Sequence, residues 1–138
     1  MTLTWDCDKC GLPIADEDGF VSASYSLMKS YLVKRSAWQD FVDNQYPPNP
    51  SGVRIIPASA YEAHPHPAPW MIYHSACDPH PGERCYSIPV EELRSHRDVL
   101  QVTHRLMNKT WFGHTAWDQV LSRLVYGSGG HDELDNRK

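Results

Sequence analysis

The sequence predicts an α+β domain, a small antiparallel sheet joined to a helical C-terminal half, and three observations carry that expectation. "GFVSASY", about residues 20 to 25, alternates large and small side chains with the two-residue period of a strand. "WMIYH" at 70–74 and "CYSI" at 85–88 are short runs of strand-forming residues set between proline- and glycine-bearing connections. Beyond Pro89 the apolar residues recur at helical spacing instead.

Taken in order, the chain begins with "CDKCG" at Cys7–Gly11, a tight turn, and "LPIADEDG", an acidic loop ending at Gly19. After the first strand, Met28, Tyr31, Trp38 and Val42 recur at near-helical spacing, with Leu27, Leu32 and Phe41 beside them. This predicts a helix over 26–44, with Ser26 as its N-cap. "NQYPPNP" stops it, because proline has no amide proton and its ring clashes with the preceding turn. Nine of the eleven prolines fall between Pro47 and Pro81, giving an irregular, semi-rigid connection with a short extended piece, "VRII", at 53–56. "CYSI" is expected to pair with "WMIYH" as a hairpin across "SACDPHPGER".

In the last third, "IPVEELRS" gives one or two turns, opened by Pro89 at a position that tolerates proline. At about 100° per residue, Val99, Leu100, Val102, Thr103, Leu106, Met107, Thr110 and Trp111 fill one side of the next helix. An arc that broad predicts a central helix packed on several neighbours. Gly113 breaks it. Thr115, with Asp118 three residues on, resembles a capping box opening a last helix whose stripe is Trp117, Val120, Leu121, Leu124 and Val125. Residues 1–126 are expected to form one domain, and 127–138, "GSGGHDELDNRK", a flexible tail.

Composition narrows the function classes. The 138 residues are 41% hydrophobic and 22% charged, enough for a buried core without staples, and they carry a net charge of −4. That balance argues against coating nucleic acid by bulk electrostatics, though a local basic face remains compatible with it. No apolar run approaches the roughly 20 residues of a membrane-crossing helix. "MTLTWDCDKC" has no apolar signal core, which sets a cytoplasmic location as the expectation. In that compartment four cysteines read as thiols or metal ligands rather than disulfides.

The metal reading rests on two pairs of matching gap. Cys7 and Cys10 are separated by two residues and followed by Gly11, which can take the positive φ of a knuckle; His74 and Cys77 repeat the gap. Together they make three thiolates and one imidazole, the closed donor set of a structural Zn2+ site. The 63 residues between the pairs add only about 1 kcal/mol of loop closure over a gap of about 17. Zinc binding is worth about 10–16 kcal/mol in comparable sites. Cys85 competes with His74, since Cys7, Cys10, Cys77 and Cys85 would make an all-cysteine site. The arrangement resembles the treble-clef and LIM-type zinc modules, in which CxxC on a knuckle pairs with HxxC near a hairpin or helix start. That resemblance covers Cys7–Gly11 and 73–78 and implies a zinc knuckle holding the fold. The whole chain also resembles small actinobacterial and actinophage proteins through Cys7, Cys10, His74, Cys77, Asp78, Pro79, Leu106, Met107, Lys109 and Trp111, a likeness that brings no activity with it.

Other patterns are weaker. "HPHP" at 64–67 reads as an extended, solvated segment, and Asp16, Glu17 and Asp18 as a solvated loop. No hydrolase elbow, phosphate loop or HExxH motif is present, and zinc would remove Cys77 and His74 from nucleophilic chemistry. The expected function is therefore a non-enzymatic, zinc-stabilised regulatory protein that binds another protein, with Trp5, Trp38, Trp70, Trp111 and Trp117 as a supply of anchors. The alternative is a DNA-binding transcriptional regulator. Two helices flanking Gly113 outline a helix-turn-helix, and Arg94, Arg97, Gln101, His104, Arg105 and Asn108 share a polar helix face suited to either partner.

Overall fold

The computed structural model describes residues 2–126, so the expected tail at 127–138 lies outside the described residues. The class is the expected one: a three-stranded antiparallel sheet with four α-helices among the described residues. The strands are β1 (Gly19–Ser24), β2 (Trp70–His74) and β3 (Cys85–Pro89). The helices are α1 (Tyr25–Gln45), α2 (Ala58–Glu62), α3 (His96–Met107) and α4 (Trp117–Tyr126).

The strand order is β2-β1-β3, so the expected hairpin between the second and third strands does not form; both pair with β1 instead. Tight hairpins join their strands through about two to five residues. Here ten residues intervene, including a 3-10 turn over Ser75–Cys77 and a turn through Pro81 closed by the Glu83 amide donating to the His80 carbonyl at 3.0 Å. That is ample chain to step over the end of β1, because crossing one strand requires only about 10 Å. The two-residue period then sorts the faces. Val21, Ala23, Trp70, Ile72 and Ile88 point into the core and are buried, while Phe20, Ser22, Met71, Tyr73 and Ser87 occupy the other face.

Ser24, not Ser26, caps α1: its side chain accepts from the Leu27 amide at 3.3 Å, and the helix starts one residue earlier than expected. Met28, Tyr31 and Val42 are buried as predicted; Leu27 and Phe41 are exposed. Trp38 is half-buried and donates its indole proton to the Ala60 carbonyl at 2.8 Å, holding α2 against α1. α2 was not legible as a helix, being five residues between prolines, and "VRII" joins no sheet.

Residues 90–93 form a single 3-10 turn, and Ser95 then opens α3 through a capping box with Asp98. α3 is not a central helix. Val99, Val102 and Leu106 are buried, but Leu100 is 69% and Met107 64% exposed. α4 begins at Trp117, and the Thr115 hydroxyl donates to the Phe112 carbonyl rather than capping the helix. Val125, expected in the stripe, is exposed. Trp117 meets Trp70 edge-on at 4.9 Å and donates to the Thr103 hydroxyl at 2.9 Å, fastening α4 to both β2 and α3. The core thus draws on every layer: Trp5 and Ile14 from the N-terminal segment, the inner sheet face, and Leu93, Leu106 and Val120 from the helical half.

Candidate metal centre

The N-terminal segment doubles back at the knuckle. The Cys7 amide donates to the Leu12 carbonyl and the Gly11 amide to the Cys7 carbonyl, each at 2.9 Å, while Gly11 takes φ +76°. A side chain is disfavoured at that φ, which is why glycine follows the second cysteine. Asp8 fixes the knuckle to the sheet. Its amide donates to the Ile72 carbonyl and its carboxylate accepts from the Ile72 amide, both at 2.7 Å, and it meets Arg123 of α4 at 3.0 Å. β2 then ends at His74, and a 3-10 turn over Ser75–Cys77 swings the second pair back toward the first.

As a result the ligand atoms of Cys7, Cys10, His74 and Cys77 all lie within 4.8 Å of one another, a group able to hold a metal ion. A tetrahedral ion with metal–sulfur bonds of about 2.3 Å sets its sulfurs about 3.8 Å apart, so the cluster has the right scale. His74 Nδ1 lies 3.3 Å from Cys10 Sγ and 3.9 Å from Cys77 Sγ. The other ring nitrogen, Nε2, is 3.1 Å from the Pro13 carbonyl and 3.8 Å from Asp18. A carbonyl can only accept, so Nε2 carries the proton and Nδ1 keeps its lone pair toward the sulfurs, the orientation that outer-shell partners give metal-bound histidines. Cys85 stands outside the cluster, at the start of β3 opposite Ser24, so the histidine set rather than the all-cysteine set is assembled.

The thiols differ electrically. Burial pushes Cys7 up, but backbone donors from Cys10, His74 and Lys9 and the His74 side chain outweigh it and bring the thiol down to about 6. Cys77 goes the other way: burial, then the neighbouring Cys7 and Cys10 sulfurs, push it up to about 11. His74 is raised, chiefly by its hydrogen bond to Cys7, against burial and with help from the Pro13 carbonyl and the charges of Cys7 and Asp18. Crowded sulfurs that resist simultaneous ionisation are what a cation relieves.

The second group of expected site residues is not one free face. Arg94 turns inward, where its guanidinium meets Asp16 at 2.8 Å and donates to the carbonyls of Leu3 at 3.1 Å and Ile14 at 2.6 Å. It clamps the acidic loop and the N-terminal segment to the turn before α3. Arg105 leans toward Glu92 at 3.6 Å. Arg97, Gln101, His104 and Asn108 are exposed with it on α3. The tryptophans are not surface anchors either: Trp5, Trp70 and Trp117 are buried and Trp38 and Trp111 half-buried. Nine residues join α3 to α4, longer than a helix-turn-helix turn. His64, expected in a solvated segment, is half-buried and packs edge-on against Trp38 at 4.7 Å. Of the acidic loop, Asp16 is held by Arg94 and the Asp18 carbonyl accepts from Ser75.

Two roles escaped sequence reasoning. Asp8, hidden between the ligands, ties knuckle to sheet, and the Pro13 carbonyl orients His74; the first looks like any polar knuckle residue and the second is backbone. No helix among the described residues is long and apolar enough to cross a membrane. No protein-family model, curated protein or solved structure matches the chain, so the treble-clef and actinophage resemblances gain no support beyond the four clustered residues.

Proposed function

We propose that the protein is a non-enzymatic interaction module whose fold is fastened by a structural zinc ion, and that it acts by binding another protein. The observation that carries this reading is the closed donor set: three sulfurs and the His74 imidazole cluster with their ligand atoms within 4.8 Å of one another. Four protein ligands leave no position for water or substrate, whereas catalytic zinc keeps one open. The sulfur-rich set favours zinc over the hard cations, which prefer oxygen. The binding role is supported by α3, where Leu100 and Met107 stand in solvent beside Arg97 and His104. Apolar side chains within a polar helix face suit a protein partner better than a phosphate backbone.

The test is a paired one. Wild-type protein and a Leu100→Glu/Met107→Glu variant, both zinc-loaded, are used to capture partners from the cells that naturally contain the protein. A partner retained by the first and lost by the second, at equal zinc content, supports the reading. Binding of duplex DNA that weakens steeply with added salt would replace it with the DNA-binding alternative. Four exposed α3 residues, Arg97, Gln101, His104 and Arg105, and the exposed C-cap Asn108 support that alternative. The inward commitment of Arg94 and the Glu92 contact of Arg105 weigh against it.

Zinc affinity is expected to rise with pH. A metal ion binds thiolates and neutral imidazole, so each protonated ligand must first lose its proton. Cys77, pushed up to about 11, is protonated throughout the neutral range, whereas Cys7, near 6, binds a proton only in acid. Apparent affinity therefore climbs at least about tenfold per pH unit through neutrality and more steeply below the raised value of His74. Competition with a chromophoric chelator at several pH values measures this; a flat profile would remove Cys77 from the ligand set.

A further inference from the structure

The solvent side of the sheet floors a cleft of about 500 Å3, within the roughly 300–1,000 Å3 range of small-molecule sites. Ser22 and Ser87, partners in register across β1 and β3, form its floor, with Met71 next to Ser22 on β2. Phe20 and Tyr73, also in register, supply aromatic surface. The connection from β2 to β3 brings in two carboxylates, Asp78 and Glu83. Neither is loose: Glu83 accepts a short hydrogen bond from the Ser24 hydroxyl, and Asp78 accepts from the His80 amide at 2.9 Å. Each retains a second oxygen. Among the described residues no lysine or arginine lines the cleft; its basic groups are the imidazoles of His74, turned to the cysteine cluster, and His80. The Cys85 thiol inside it is raised by burial and then by the charges of Glu83 and Asp78.

We infer that this cleft binds a small organic cation, an ammonium or guanidinium group carried on an apolar body. The body lies on Phe20, Met71 and Tyr73, where it covers apolar surface and the cation gains from the aromatic faces. The charged head meets Glu83 and Asp78. An anion of the same shape would face two carboxylates with no lysine or arginine lining the cleft to offset them, and a neutral analogue would forgo the ionic contacts. Selectivity for cations thus follows from what lines the cleft and from what is missing there.

The probe is 2-phenylethylamine, titrated into the zinc-loaded full-length protein by calorimetry and by amide NMR. Phenylacetate and 2-phenylethanol serve as the anionic and neutral comparators. Saturable binding of the amine is expected, shifting the amides of Phe20, Ser22, Met71 and Ser87, with weaker binding of the alcohol and none of the acid. Glu83→Gln keeps an oxygen for Ser24 and is expected to weaken the amine about fivefold, the size of an exposed ion pair. Ser87→Trp, at an exposed strand position, fills the floor and is expected to abolish binding without changing zinc content or melting temperature. The inference is overturned if the amine does not bind saturably, if phenylacetate binds equally well, if the shifted amides lie elsewhere, or if neither substitution alters the affinity.

Discussion

Cys7→Ser is expected to abolish stoichiometric zinc and to lower the unfolding midpoint more than any substitution of an exposed residue. Zinc in a closed thiolate site contributes about 10–16 kcal/mol at neutral pH, comparable to the entire net stability of a domain this size. The loss does not stay local. Cys7 is buried in the same cluster as Trp5 and Ile14, and Trp5 donates its indole proton to the Leu93 carbonyl at 2.8 Å. Freeing the knuckle therefore loosens the turn that precedes α3. His74→Ala is expected to behave alike, whereas Cys85→Ser keeps its zinc. Metal analysis by native mass spectrometry alongside thermal unfolding reads out all three, and full zinc occupancy in His74→Ala would overturn the ligand assignment.

Gly19→Ala is expected to be the most damaging single-methyl change. A Cβ at Gly19 would press into the Tyr73 carbonyl oxygen and lie 2.7 Å from Ile14 Cγ2 and 3.2 Å from the His74 Cα. Two of those neighbours are backbone, and Gly19 pairs in register with His74, so relief requires shifting the strand end that carries a member of the Cys/His cluster. Overpacking of this kind costs about 1–3 kcal/mol. The coupling adds a second signature, faster zinc transfer to a chelator. Denaturant unfolding with and without metal measures both effects. Unchanged stability and unchanged zinc release would show that β1 and β2 separate more easily than their register implies.

What the sequence disclosed, it disclosed through short-range chemistry. The clustering of Cys7, Cys10, His74 and Cys77 was legible because metal geometry demands particular side chains at a two-residue gap, and the strands because β1 alternates. What it concealed depended on long-range choices. The pairing of β3 with β1 rather than β2 is decided by a ten-residue connection whose path no local pattern records. The width of the α3 stripe was overstated because Leu100 and Met107 are apolar yet face solvent, and periodicity reports side-chain type, not the presence of a neighbour. Arg94 looked like part of a binding face because its acceptors, Asp16 and the carbonyls of Leu3 and Ile14, lie about 80 to 90 residues away in sequence.

The reciprocal bonds between Asp8 and Ile72 bear on more than the clasp. β2 is an outer strand, and its free side is a template on which another extended chain can assemble. Asp8 covers part of that side by imitating a neighbouring strand, donating with its amide and accepting with its carboxylate. The same knuckle brings Cys7 and Cys10 up to His74 and Cys77. If an ion holds that cluster, as proposed, its loss would bare a sticky margin as well as slacken the fold, and metal starvation is expected to favour self-association over simple melting.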